Sequence, residues 1–89
     1  MRILEGLVLR PLGNDFIVTG DGLSRVNFSK VVSMNATSAY LWDKLKGREF
    51  SAEDMAELLT ARYDVDAQTA LADAQKLLEA WQNAGLVEA

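Results

Sequence analysis

The most numerous side chains that could carry acid–base chemistry in this 89-residue chain are its 13 carboxylates, and the sequence contains neither histidine nor cysteine. Two carboxylates act as a general acid and base only where a desolvated cleft drives their pKa values apart. The candidates lie instead at expected turns, helix caps and polar helix faces: Asp15, Asp21, Glu49, Glu53, Asp54, Glu57 and Asp73. We therefore expect solvated carboxylates and a chain that is not an enzyme.

The missing residue types also bear on metals and cofactors. Imidazole and thiolate groups are the usual ligands of zinc, haem and iron–sulfur clusters, and thiols are required for disulfides. The sequence has no glycine-rich phosphate loop, nucleophile elbow or metal-spaced cluster. It therefore predicts no cofactor and no metal site, and a fold stabilised by packing alone.

Length and charge limit the organisation and the partners. A chain of 89 residues is expected to form one domain, residues 1–89. Its formal net charge of −4 disfavours nucleic acid and anionic membranes and favours basic or neutral partners. The start, MRILEGLVLRP, lacks a signal-peptide pattern, and no apolar run approaches the ~18 residues of a membrane span. The expected location is the cytoplasm.

The elements that must position any site divide the sequence near Asn35. Before it, β-prone runs at residues 7–11, 16–19, 25–28 and 31–34 predict a small antiparallel sheet. The expected turns between these runs are Gly13-Asn14-Asp15, Gly20-Asp21-Gly22 and Ser29-Lys30.

Three helices are expected after the seam. Asn35 is the predicted N-cap of a helix through Lys46, and a capping box at residues 51–54 opens a second helix that ends near Tyr63. Asp66 caps a third helix, which Gly85 closes. The predicted fold class is α+β, a small N-terminal antiparallel sheet followed by three helices, similar to a winged helix-turn-helix.

The third helix is poorly suited to reading DNA. A recognition helix needs Arg, Lys, Asn or Gln in its first turns. Here those turns hold Asp66, Ala67, Gln68, Thr69 and Ala70, in an acidic chain. The gain from counterion release would be small or adverse, so DNA binding is disfavoured.

One arc of this helix is expected to be buried in the core: Ala67, Ala70, Leu71, Ala74, Leu77, Leu78, Trp81 and Ala84. Beside it, Gln68, Gln75 and Gln82 recur every seven residues along the side where Leu71 and Leu78 emerge. This neutral polar strip is either the wall of a peptide groove or a solvated helix flank.

The remaining opportunity for binding is an edge of the sheet. If the run VVSM at residues 31–34 forms an edge, its free N–H and C=O groups can template an added strand. The alternatives are that a neighbouring loop or the C-terminal LVEA covers the edge, or that a second copy pairs with it. The β-prone material between Phe16 and Phe28 also leaves open which strand is the edge.

Short motifs in a fixed order resemble one family. They are VVSM, Asn35, the helix run AYLW at residues 39–42, the SAED helix start at residues 51–54, RYDVD at residues 62–66 and the final GLVE. In this order the sequence resembles the PqqD-like family, also known as precursor-peptide recognition elements of ribosomally made, modified peptides. The resemblance covers residues 7–88. Asn35-Ala36-Thr37 departs from the family's common Asn-Glu-Thr run.

The resemblance implies a peptide site. Members of the family bind the leader segment of a precursor peptide as an added strand, between the third strand and the third helix. They present it to a modifying enzyme, often of the radical S-adenosylmethionine (SAM) type. Carried over to this sequence, the site residues are Val31, Val32, Ser33 and Met34 on the strand, Leu71, Gln75 and Leu78 on the helix, and Gln68 near the groove entrance.

The leading hypothesis is therefore a non-catalytic peptide chaperone that acts by β-strand addition. Its expected partners are a leader peptide and a modifying enzyme. The alternative is an acidic winged-helix-like interaction or dimerisation module that binds no leader peptide. Homodimer formation through an open sheet edge belongs to either hypothesis.

Overall fold

The computed structural model of the protein describes residues 1–20 and 32–88. The strands are β1 (Arg2–Ile3), β2 (Leu7–Leu12), β3 (Asp15–Gly20), β4 (Val32–Met34) and β5 (Val87–Glu88), and the helices are α1 (Ala36–Leu45), α2 (Ala52–Arg62) and α3 (Ala67–Asn83). The expected α+β architecture is confirmed. The β-prone run at residues 25–28, the turn residues Asp21, Gly22, Ser29 and Lys30, and Val31 lie outside the described residues.

The main sheet is antiparallel, with the spatial order β2, β3, β4. The β2–β3 hairpin pairs Leu12 with Asp15, so its loop is Gly13-Asn14. Gly13 has a φ of 63°, and a positive φ at the first loop residue matches a two-residue hairpin with glycine in that position. The turn predicted here is confirmed. Pro11 lies in β2, an edge strand of this sheet, where a missing N–H is tolerated.

One face of the sheet packs on the core. Phe16 pairs with Met34, and Val18 pairs with Val32. Because alternate residues of a strand point to opposite faces, these side chains share one face and Ser33 lies on the other. Val18 and Met34 are buried, whereas Ser33 is exposed. The register therefore directs the β4 side chains that flank Ser33 to the core.

The first two helices begin at the caps that the sequence predicts. The Asn35 side chain accepts a hydrogen bond from the Ser38 N–H at 2.8 Å. At the start of α2, the Ser51 hydroxyl accepts from the Asp54 N–H, and the Asp54 carboxylate accepts from the Ser51 N–H at 2.9 Å. Each cap satisfies a backbone N–H that has no partner inside its helix. The predicted capping box is confirmed with Asp in place of the usual Glu.

Three aromatic rings form the centre of the core. The Trp42 and Trp81 rings meet edge to face with centroids 5.4 Å apart, and Phe50 packs on Trp81 in the same way at 6.4 Å. The indole N–H of Trp42 is buried and has no hydrogen-bond partner among the described residues, so Trp42 contributes through packing. The other large buried side chains are Ile3, Leu7, Val18, Met34, Leu41, Leu45, Met55, Leu59 and Leu86.

The buried line of α3 is narrower than the sequence predicts. Ala70, Ala74 and Trp81 are buried. The remaining residues of the predicted arc after Ala67 are only half-buried: Leu71, Leu77, Leu78 and Ala84. The prediction that Ala67 is buried is wrong, because this first residue of α3 is exposed and lines a surface cavity. The difference leaves Leu71 partly accessible.

The chain after α3 turns back sharply and pairs with the N-terminal strand. Gly85 has a φ of 77° and donates to the Gln82 carbonyl, and the Leu86 N–H donates to the Trp81 carbonyl at 2.9 Å. These two hydrogen bonds form a Schellman motif. β5 then pairs antiparallel with β1, which the sequence reasoning did not predict.

The β1–β5 pair also bears on the open sheet edge. The described part of the C-terminal segment, β5, is paired with β1 and not with β4. The alternative in which this segment covers β4 is therefore not what the fold adopts. Within residues 1–20 and 32–88, no helix has the length and apolar character needed to cross a membrane.

Replacing Trp81 with alanine is expected to lower the free energy of unfolding by about 3–5 kcal/mol, because it removes the ring that contacts Trp42 and Phe50. Urea unfolding followed by circular dichroism measures this loss. Trp81→Phe keeps a ring at the position and should cost less. A loss below about 1 kcal/mol in the alanine variant would contradict the central role of this ring.

Candidate functional site

β4 is an edge strand of the described sheet. Its neighbour is β3, and no other strand among residues 1–20 and 32–88 pairs with it. In an antiparallel strand, successive residues turn their N–H and C=O groups to opposite edges. Either Ser33, or Val32 together with Met34, therefore presents backbone groups away from β3. This edge can accept one further strand by main-chain hydrogen bonds.

The predicted strand residues differ in their exposure. Val32 is half-buried and packs against the core, Ser33 is exposed and Met34 is buried. Val31 lies outside the described residues. Val32 is therefore the β4 residue whose side chain faces the core and remains partly accessible to a ligand.

The predicted helix residues share one side of α3. Gln68, Leu71, Gln75 and Leu78 follow one another at spacings of three, four and three, which places them on one helical face. Both glutamines are exposed, and both leucines are half-buried against the core that Val32 also contacts. The arrangement gives two apolar contacts with two neutral hydrogen-bonding groups beside them.

Leu71 also lines a cavity between α2 and α3. The cavity has a volume of ≈ 220 Å³ and is lined by Glu53, Ala56, Glu57, Thr60, Ala67 and Leu71. No residue of β4 lines this cavity or the two other cavities found on the described residues. The most extensive contacts of α3 are with α2, while β4 contacts β3 and α1. The strand and helix parts of the predicted site are thus linked through the common core, and not by a shared cavity.

The N-terminus of α3 is fixed by Asp66. Its carboxylate accepts a hydrogen bond from the Thr69 backbone N–H at 2.7 Å. This bond, reinforced by the Thr69 hydroxyl, holds the pKa of Asp66 below its ordinary value of 3.8. The charged carboxylate also suits the positive end of the helix dipole. The predicted cap is confirmed, and it positions the turn that carries Gln68 and Leu71.

The described carboxylates form no metal cluster. Among residues 1–20 and 32–88, no three Asp or Glu side chains converge as a cation site would require. Asp54 and Asp66 are engaged as helix caps. The structure thus assigns these two carboxylates positional roles, while the absence of catalysis stays a prediction.

The sequence reasoning missed one side-chain cluster. Tyr40 on α1 packs against Arg62 and Tyr63 at the end of α2. The adjacent residues Arg62 and Tyr63 are a sequence signal for a contact surface, since Arg and Tyr are enriched at protein interfaces. Their meeting with Tyr40 depends on how α1 packs against α2.

These features define a class of protein: a small α+β domain with an open sheet edge and a half-apolar helix face. Coenzyme PQQ synthesis protein D (PqqD) is the family whose profile matches residues 7–87, and the chain belongs to this family. The family predicted from the sequence is confirmed. A search of curated proteins finds no match.

A solved structure shares the fold. It is described as TbiB1 in complex with the TbiA(beta) leader peptide. Its TM-score to this chain is 0.75, at 20% sequence identity, and the match covers 99% of this chain and 95% of that chain. The similarity extends over nearly the full length of both chains and supports the winged-helix-like α+β architecture.

The lowered pKa of Asp66 predicts how its cap responds to acid. Since the pKa is lower in the folded state, the carboxylate stabilises the fold fully above its ordinary value of 3.8 and loses this contribution as the pH falls through the lower folded value. Asp66→Asn keeps a neutral cap without this titration.

Urea unfolding at about pH 6 and about pH 2.5 tests this prediction. The wild type should be more stable than Asp66→Asn at the higher pH, and the difference should shrink at the lower pH. A difference that is equal at both pH values would contradict the assigned cap.

Proposed function

We propose that this PqqD-family protein binds the leader segment of a ribosomally made precursor peptide and presents it to a modifying enzyme. The observation that carries the proposal is the edge of β4, which pairs with no second strand among the described residues. Family membership and the shared fold of TbiB1, a protein solved with a leader peptide, support the same function.

The proposed mechanism is β-strand addition. The leader pairs with the outer edge of β4, where main-chain hydrogen bonds provide affinity that depends little on sequence. Only alternate residues of β4 can take part, so the strand Val32–Met34 offers a short ladder. Binding on so short an edge needs further contacts from side chains.

The proposed side-chain contacts come from α3. Leu71 and Leu78 are half-buried, so they offer apolar surface to a leader without first leaving the core. Gln68 and Gln75 are exposed and supply both donors and acceptors for polar groups of the peptide. Neither glutamine is charged, so the two side chains add nothing to the negative charge of the chain.

The proposed role requires a partner that performs the chemistry. We propose a separate modifying enzyme of the radical SAM type and a cytoplasmic location, where ribosomal peptides are made. The domain itself contributes binding and presentation. The same β4 edge could instead pair with a second copy of the chain, since an open edge offers its backbone groups to any suitable strand.

Titration of isotope-labelled protein with synthetic leaders, taken from short peptides encoded beside its gene, is the first test. Saturable amide shifts are expected at Val32–Met34 and on the Leu71 and Leu78 side of α3. Well-dispersed spectra without shifts, for every neighbouring leader and with the partner enzyme present, would contradict the proposal.

Two substitutions on α3 separate its faces in that titration. Leu78→Gln should weaken leader binding by about tenfold, because it removes an apolar contact on the proposed side. Lys76→Gln alters an exposed residue outside that side and should leave the Kd unchanged. If the two variants bind alike, α3 does not contact the leader as proposed.

Proline scanning of β4 tests strand addition itself. Val32→Pro and Ser33→Pro each remove one N–H, and the register directs one of these groups to β3 and the other outward. The outward variant should remain folded and lose at least about tenfold in leader affinity. The inward variant breaks the ladder to β3 and should lower the midpoint of urea unfolding. If the variant with proline at the outward position is folded and binds the leader with the wild-type Kd, pairing at β4 is contradicted.

A further inference from the structure

A second open groove lies on a part of the molecule that contains none of the residues proposed for the leader. It has a volume of ≈ 420 Å³ and is lined by Leu9, Phe16, Ala36, Ala39, Tyr40, Asp43 and Arg62. Its walls come from the core-facing side of β2 and β3, from one side of α1 and from the end of α2. Its volume falls in the ~300–1,000 Å³ range of pockets that hold small ligands or side chains.

Two tyrosine rings contact the guanidinium of Arg62, the positively charged side chain that lines this groove. The Arg62 guanidinium carbon lies 4.5 Å from the Tyr40 ring centroid and 5.9 Å from that of Tyr63. The two rings meet edge to face at 6.3 Å. The Tyr40 hydroxyl donates to the Leu58 carbonyl, and the Tyr63 hydroxyl accepts from Thr37, both at 3.4 Å. Arg62 is thus positioned before any ligand arrives.

The contacts of Arg62 leave its hydrogen-bonding groups available. Stacking uses the face of a guanidinium, whereas its N–H groups point outward in the plane and match the two oxygens of a carboxylate. Among the described residues Arg62 forms no ion pair, including with Asp43, which lines the same groove. An arginine that is stacked on a ring and has no carboxylate partner in the described part of the chain is complementary to an acidic group supplied by a ligand.

The rest of the groove is apolar. Ala39 is buried, and Leu9, Phe16 and Tyr40 are half-buried, so their accessible parts form an apolar floor. Tyr63 beside the rim is 37% exposed. Tyrosine and arginine are among the residue types that most often contribute strongly to binding at protein interfaces. These features fit a peptide segment better than an isolated anion, which would leave the floor unused.

We propose that this groove, the Arg62 groove, docks a segment of a partner protein in which a carboxylate side chain lies next to bulky apolar ones. The carboxylate pairs with Arg62, and the apolar side chains lie on Leu9 and Phe16. Asp43 lines the same groove, and its carboxylate repels an acidic group that lies close to it. The groove shares no lining residue with the proposed leader site, although Phe16 pairs with Met34 of β4.

Blocked tripeptides test the proposal on the full chain. The probe is acetyl-Leu-Glu-Leu-amide, and the matched control is acetyl-Leu-Gln-Leu-amide. The Arg62 side-chain Nε–H signal and the ring signals of Tyr40 and Tyr63 should shift saturably with the glutamate probe. The Gln probe should bind about tenfold more weakly, because it lacks the charge-assisted pair. Equal affinity for the two probes, or no saturable shift at these signals, would overturn the proposal.

Substitutions of Arg62 and Asp43 test which side chains determine the affinity for the glutamate probe. Arg62→Gln should weaken the glutamate probe by about tenfold and abolish the difference between the probes. Arg62→Lys keeps the charge without the planar fork and should give an intermediate loss. Asp43→Asn should bind the glutamate probe at least as tightly as the wild type. Wild-type affinity in Arg62→Gln, or a loss in Asp43→Asn, would overturn the proposal.

Two other occupants give distinct results. If sodium acetate shifts the same signals with an affinity equal to that of the glutamate probe, the groove binds small carboxylates and the docking proposal is wrong. If these signals change when the protein alone is diluted, and sedimentation shows a dimer that Arg62→Gln dissociates, a second copy occupies the groove. That result would likewise overturn the proposal.

Discussion

The burial of one narrow line of α3 is the constraint on which the rest of the structure depends. Ala70 and Ala74 are small enough for α2 to pack closely against the helix, and Trp81 places its ring between Trp42 and Phe50. A chain of this size has one core to share among all its elements, so it cannot also bury the flanks of α3. The flanking leucines therefore remain half-exposed, and this partial exposure is the basis of the proposed peptide contact.

The open edge of β4 also reflects the small number of elements in this chain. The described main sheet has three strands, and β4 connects directly through Asn35 into α1. The C-terminal strand β5 pairs with β1 and not with β4. The core holds β4 by one face through Val32 and Met34. Its outer backbone groups pair with no strand among the described residues, and this is the edge at which we propose that the leader binds. In this account the domain recognises a peptide chiefly by its backbone, and α3 supplies the selectivity.

Local chemistry explains which parts of the fold could be predicted. The caps at Asn35, Ser51 and Asp66 and the Gly13 turn are encoded within a few residues, and each was predicted correctly. The β1–β5 pair was missed because two-residue strands at opposite ends of the sequence leave no periodic pattern. The exposure of Ala67 and the meeting of Tyr40 with Arg62 depend on helix packing, which hydrophobic periodicity alone does not give. The grouping of the β4 residues with the α3 flank stays a prediction.

Isotope-filtered nuclear Overhauser spectroscopy of the labelled protein with an unlabelled leader tests strand addition most directly. The account predicts close proton contacts between the leader backbone and Val32–Met34, in the alternating pattern of paired strands, together with contacts to Leu71 and Leu78. A leader that binds but shows its contacts only elsewhere, such as at the Arg62 groove or along β2, would contradict the central claim that β4 is the recognition edge.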